Sequence, residues 1–232
     1  MKDWKIIGQF ISLLGHLVKV FKKLNVSLDI LGWLVSDGRD YFEQNVLNPL
    51  VEEFRKHERV RFVDTHTILV NLDAPLRRLP VHGAKVANKP KGTGWVKVQR
   101  VGNDLFIGGE KFLFHFSEDQ KAGAVAGRVI QVEIEGLKDK RPLHPNIMDA
   151  LIEKAPYLIP ENWKWDEKQR TVYLCFWDVI FSDADDDLCV RCCYWDGGAW
   201  DRNYRWLVGG FGRRCPAACS QVSTPDSVLK TS

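Results

Sequence analysis

The sequence predicts an α+β protein, with N-terminal helices followed by antiparallel β-meanders. Three observations carry that expectation. Residues 171–211 form three apolar runs rich in Val, Ile, Tyr, Phe and Trp, parted by an acidic turn at 182–187 and by Asp196-Gly197-Gly198. Such residues suit a pleated, half-buried surface, and Asp-Gly between apolar runs signals a hairpin because both residues tolerate positive φ. Residues 95–116 repeat the pattern around Gly102-Asn103-Asp104 and Gly108-Gly109. The N-terminal stretch has helical spacing instead: Ile7, Phe10, Ile11, Leu14, Leu17, Val18, Phe21 and Leu24 share one side of a helix over 4–24.

In chain order, the helix over 4–24 sets Lys5, Gln9, Ser12, His16, Lys19 and Lys23 opposite its apolar stripe. It reads as a helix packed on a core, the alternative being one laid on an anionic membrane surface or in a partner's groove. Its basic residues gather near its end, where they also suit the helix dipole, and this weakens the membrane alternative. A second short helix is expected over 27–35. A third, capped by Asp40, runs to about residue 57 with Pro49 interrupting it. Residues 60–72 switch to strand chemistry, and 75–94 is a connection broken by Pro and Gly.

Ser117 to Gln120 has the spacing of a capping box and starts a short helix. Residues 128–135 alternate as a strand does. Asn146 caps a helix over 147–154 that Pro156 and Pro160 close. After Arg213 the chain is small, polar and expected to be mobile. The expected segments are a helical 1–58, a β-rich 59–137, a helical bridge over 138–170, a Trp-rich meander over 171–211 and a flexible tail over 212–232.

The chain has 232 residues, enough for one large domain or two small ones, and its net charge of +3 is too small to name a partner. No apolar run reaches the roughly 18 residues of a membrane span, and the N-terminal apolar residues lack a signal-peptide pattern. All six cysteines fall between 175 and 219, unlike the spread framework of a secreted domain. Reduced thiols, a cytoplasmic protein and no cofactor are expected.

Four groups of residues suggest chemistry. On one face of the last run, Trp200, Arg202, Tyr204 and Trp206 follow the period of two, with Trp195 just before them. Rings interleaved with Arg can stack a carbohydrate or an unpaired base, or can equally be a lid on the core. A basic stretch over 76–100 (Arg77, Arg78, Lys85, Lys89, Lys91, Lys97, Arg100) contains no acidic residue, which suits a solvated loop or a nucleic-acid contact. Lys91-Gly92-Thr93-Gly94 lacks the pattern of a phosphate-binding P-loop.

Cys189, Cys192, Cys215 and Cys219 have spacings close to a four-cysteine zinc ribbon, yet a strand sends Cys189 and Cys192 to opposite faces, so buried small hydrophobes are the default. Asp183, Asp185 and Asp187 alternate like the start of a calcium loop but lack its Gly and Glu. Finally, Asp64, His66 and His115 are the acid–base candidates, each without a nearby nucleophile. A non-catalytic binding protein working through the aromatic face, with a protein or carbohydrate ligand, is the first expectation. A nucleic-acid-associated protein and an enzyme follow it.

His144-Pro145-Asn146, residues 158–164 (LIPENWK), Phe176-Trp177, Val190-Arg191 with Tyr194-Trp195, and residues 200–207 together resemble a group of bacterial hypothetical proteins over roughly residues 105–219. The resemblance implies a shared fold and transfers no site. Members of that group often carry aromatic or aliphatic residues where this chain has cysteine, which speaks against a shared metal site.

Overall fold

The computed structural model describes residues 58–77 and 79–222, together with Gln44 and Asn48. The expected helices over 4–24, 27–35 and 40–57, Arg78 and residues 223–232 lie outside the described residues. The chain falls into two units, Met1–Lys56 and His57–Ser232, and the fold described is that of the second.

This unit is mostly β, built on a curled sheet rich in antiparallel pairs. Residues 60–72, expected as one strand, fold into a hairpin of β1 (Val60–Asp64) and β2 (Thr67–Asn71), because Asp64 Oδ1 accepts from the His66 amide and turns the chain. β3 (Lys85–Val86) lies in the connection. The first meander follows as expected, with β4 (Trp95–Val101), β5 (Asp104–Ile107) and β6 (Glu110–His115). Gly102, Gly108 and Gly109 all have positive φ at its turns. The capping box of Ser117 and Gln120 opens α1 (Glu118–Ala122).

After β7 (Val125–Ala126) comes α2 (Gly127–Gly136), where the alternation of 128–135 predicts a strand. Ile130 and Ile134, four apart, are the buried pair, while Val129 and Val132 face solvent. Gly127 begins α2 because any side chain there would run into the Leu207 backbone and the Phe211 ring. β8 (Lys140–Pro142) then leads to α3 (Pro145–Lys154). The cap of α3 is His144, whose Nδ1 accepts from the Asn146 amide at 3.1 Å; Asn146 itself reaches back to the carbonyls of Leu72 and Ala74.

The Trp-rich meander is β9 (Leu174–Ser182), β10 (Leu188–Trp195) and β11 (Trp200–Trp206), followed by β12 (Gly210–Phe211). Asp183 Oδ1 accepts the amides of Asp185 and Asp187, which makes the acidic run a tight hairpin tip. Part of the expected tail is also ordered. β13 (Ala217–Gln221) pairs with β6, β8 and β9 and joins the two meanders, in the strand order β1-β2-β4-β5-β6-β13-β9-β10-β11.

Both faces of the central strands are covered, so β9 is buried along its whole length. On one face Leu174, Phe176, Cys193 and Trp200 pack with Ile147, Met148 and Leu151 of α3. On the other, Cys175, Trp177, Cys192 and Cys219 pack with Ile130 and Ile134 of α2. No helix among the described residues is long and apolar enough to cross a membrane.

Candidate functional site

The aromatic face is largely engaged in packing. Trp200 is buried, Trp195 sits under the Lys164 ammonium at 3.7 Å, and Trp206 packs on Val179, Phe181 and Cys189. Arg202 and Tyr204 belong to a buried ion network. At its centre Asp149 of α3 pairs with Arg191, and both side chains are fully enclosed. Arg191 also donates to the Tyr204 hydroxyl, and Arg202 Nη2 meets Glu153 at 2.9 Å. The contact of Arg202 Nε with Asp149 Oδ1, 2.7 Å, is an ion pair whose N–H is not aligned as a hydrogen bond. The network ties α3 to β10 and β11 through charges that attract strongly away from water.

The other predicted residues are dispersed. Arg77 pairs with Glu153, Lys85 with Asp186, and Arg100 donates to the Tyr157 carbonyl. Lys97 is exposed on β4, while Lys89 and Lys91 flank the cleft described below. Asp64 and His66 form the exposed β1–β2 turn. His115 is buried on β6 with its Nε2 3.2 Å from Glu133, and burial lowers its pKa. Cys189 packs in a different apolar cluster from Cys192, Cys215 and Cys219, so the four do not converge. Among the described residues no group of His, Cys, Asp and Glu is arranged to hold a metal ion.

A different set of groups does converge, at an irregularity of β9. Phe176 pairs with Arg191 and Ile180 with Val190, so Trp177, Asp178 and Val179 form a bulge opposite two adjacent residues of β10. Bulges of this kind re-aim a side chain and are frequent beside functional sites. Asn88 replaces the lost ladder: its Nδ2 donates to the Asp178 carbonyl and its Oδ1 accepts from the Ile180 amide at 2.7 Å. The freed Asp178 carboxylate, on a residue only 3 % exposed, accepts the Lys91 amide at 2.8 Å and the Gly92 amide at 3.0 Å. Residues 88–92 thus form a strap across the bulge. A Cβ at Gly92 would lie 2.9 Å from both Asp178 Oδ2 and Leu72 Cδ1, so any larger residue there would have to displace the carboxylate or the leucine.

Under the strap lies a cleft of about 210 Å³. Its apolar floor includes Leu72, Ile107 and Ile147, and its polar groups include Lys91, Glu110, Arg141, His144, Asp178 and Ser220. Ser220 donates to Glu110 at 2.7 Å. His144 serves as the α3 cap through Nδ1, which puts its proton on Nε2. Burial pushes its pKa down to about 4, against the opposing pull of the Asp178 charge, so near neutrality it is an uncharged donor. The cleft therefore presents two cations, two carboxylates and a neutral imidazole above an apolar floor.

The low pKa of His144 has a consequence for stability. Between the ordinary histidine value, about 6.5, and the folded value of about 4, the unfolded chain takes up a proton that the folded chain refuses. Stability is fully present above this window and falls as pH drops through it. His144→Asn retains a capping oxygen and removes the titration. Urea unfolding at several pH values should show the wild type losing about 2–3 kcal/mol more than this variant across the window. Equal losses would show that His144 is not held neutral.

The sequence singles out neither Asp178 nor its strap. The available signal is a carboxylate inside the otherwise apolar run FWDVIF, where a charge must find a buried partner. Comparison with protein-family models, with curated proteins and with solved structures finds no match to this chain.

Proposed function

We propose that the protein is a non-catalytic binding protein whose ligand is a compact zwitterion of amino-acid type, held in the cleft beneath the 88–92 strap. The observation that carries this reading is the gathering of three polar side chains, each more than nine-tenths buried, around one cleft: His144, Asp178 and Ser220. Burying polar groups is costly, and such groups recur where a site needs them pre-oriented. Lys91 and Arg141 suit a carboxylate, Glu110 and Asp178 suit an ammonium, and Leu72, Ile107 and Ile147 suit an apolar side chain. The volume of about 210 Å³ lies below the roughly 300–1,000 Å³ of drug-sized sites, which fits a metabolite of a few heavy atoms.

The test is a titration of the isotope-labelled protein with individual amino acids at millimolar concentration, followed by amide NMR shifts. At least one should move the amides of Lys91, Gly92, Leu143 and Ser220 together. Arg141→Ala alters a solvent-facing side chain and should weaken that response about tenfold or more while leaving the melting temperature nearly unchanged. Shifts confined to other surfaces, or none with any amino acid, would rule this ligand class out.

A further inference from the structure

A second cavity opens between the start of β1 and α3, away from the strap, and measures about 330 Å³. Val60, Phe62 and Ala150 form its apolar wall. Phe62 is in register with the fully buried Ile68 of β2, so it stands on the core side of the sheet, yet it is 56 % exposed. β1 ends the strand order, and nothing among the described residues covers the Phe62 ring there. The opposite wall is charged, with Arg59, Arg77, Glu153 and Lys154.

These charges do not balance. Asp149 meets Arg191 and Arg202, while Glu153 meets Arg202 at 2.9 Å and Arg77 at 3.2 Å. Two carboxylates thus already serve three guanidiniums. Lys154 stands in the last turn of α3, where its charge offsets the terminal carbonyls of the helix. Arg59 is the cation left over. Arg61, two residues on, pairs with Glu58 at 2.6 Å and lies over the Trp95 ring at 4.1 Å. Arg59 makes no ion pair among the described residues, and its Nη2 is enclosed without an acceptor. The backbone holds it there: the Asn71 amide donates to the Arg59 carbonyl at 2.9 Å, and Asn71 Nδ2 donates to the Glu58 carbonyl at 3.0 Å. Burial and the Arg77 charge lower the Arg59 pKa, as befits a cation short of a counter-ion.

We propose that this cavity binds a small aromatic carboxylate, with the carboxylate on the Arg59 guanidinium and the ring against Phe62. A monoanion matches one leftover cation, and a guanidinium gives a carboxylate charge-assisted hydrogen bonds about twice as strong as neutral ones. Glu153 is engaged by Arg77 and Arg202, so it does not cancel the Arg59 charge. The exposed Phe62 ring offers a flat apolar group an offset-stacked or edge-on contact. The volume of about 330 Å³ stands at the lower end of the range for small-molecule sites. This cavity shares no lining residue with the cleft under the strap, so the two sites stand or fall separately.

The experiment titrates the full, isotope-labelled chain with benzoate, benzamide, acetate and inorganic phosphate, followed by amide NMR shifts. Benzoate at millimolar concentration should move the amides of Phe62, Ala150 and Lys154 together and leave those of Lys91 and Gly92 in place. Benzamide lacks the charge, and acetate and phosphate lack the ring; each should bind about tenfold more weakly or worse. Arg59→Gln should weaken benzoate about tenfold. Phe62→Ala alters an exposed side chain and should weaken benzoate several-fold with the melting temperature nearly unchanged. Binding of benzamide, acetate or phosphate as tight as that of benzoate would overturn the proposal. So would benzoate shifts that fall on Lys91 and Gly92 instead, or no shifts at all. These comparisons use the wild-type protein and decide the matter even if Arg59→Gln fails to fold.

Discussion

Asp149→Ala is expected to lower the unfolding free energy by about 3–5 kcal/mol, much of the margin by which a domain of this size is stable. The reason is the charge left behind. Arg191 is fully enclosed and Arg202 nearly so, and Asp149 is the carboxylate both of them meet. The remaining partners of Arg191 include the Tyr204 hydroxyl and the Arg77 carbonyl, which hydrogen-bond the guanidinium without neutralising it. Glu153 meets Arg202 but is shared with Arg77. Replacing the pair together, Asp149→Leu with Arg191→Met, should recover part of the loss, because the fully enclosed Arg191 charge goes with its partner while Arg202 keeps Glu153. Urea denaturation of the three proteins checks this. A loss below about 1 kcal/mol for Asp149→Ala would show that water reaches the network.

Trp200→Ala is expected to cost about 3–5 kcal/mol, the range for truncating a large buried aromatic, and Trp206→Ala distinctly less. The two tryptophans stand on one strand, yet their surroundings differ. Trp200 is 8 % exposed and belongs to the cluster that joins Leu174 and Phe176 to α3, while Trp206 is half-buried at the edge of a smaller cluster. Removing Trp200 leaves a void beside helix and sheet together. Removing Trp206 lets water reach a rim already partly wet. Thermal and denaturant unfolding of both variants separates the cases, and equal costs would mean that the strand face is uniformly core or uniformly surface.

The meanders were legible because strand and turn chemistry are local: the Asp-Gly and Gly-Gly turns and the aromatic runs name their own conformations. Other elements depend on partners far along the chain. Residues 128–135 suit either period, and only burial of Ile130 and Ile134 against β9 and β10 selects the helix. β13 was not legible because Ala217, Ala218, Cys219 and Ser220 are small, and the crowded position between β6 and β9 calls for small residues that resemble a tail in sequence.

The site was hidden for the same reason. Asp178 and the amides it accepts are 86 and 87 residues apart, and Asp149 and Arg191 are 42 apart. A charge inside an apolar run announces that a partner exists without naming it. The predicted acid–base residues and basic stretch, by contrast, rest on side-chain type alone. Asp64 and His66 lie on a turn while His115 is buried elsewhere, and several of the basic residues already meet carbonyls and carboxylates from distant parts of the chain.

Hydrogen exchange at the Lys91 and Gly92 amides tests the central claim most directly. These two groups hold the strap to Asp178 above the cleft. With a bound amino acid beneath them, their exchange should slow in step with occupancy, while amides of the β1–β2 turn remain unchanged. Unaltered exchange at Lys91 and Gly92 under saturating ligand would contradict it.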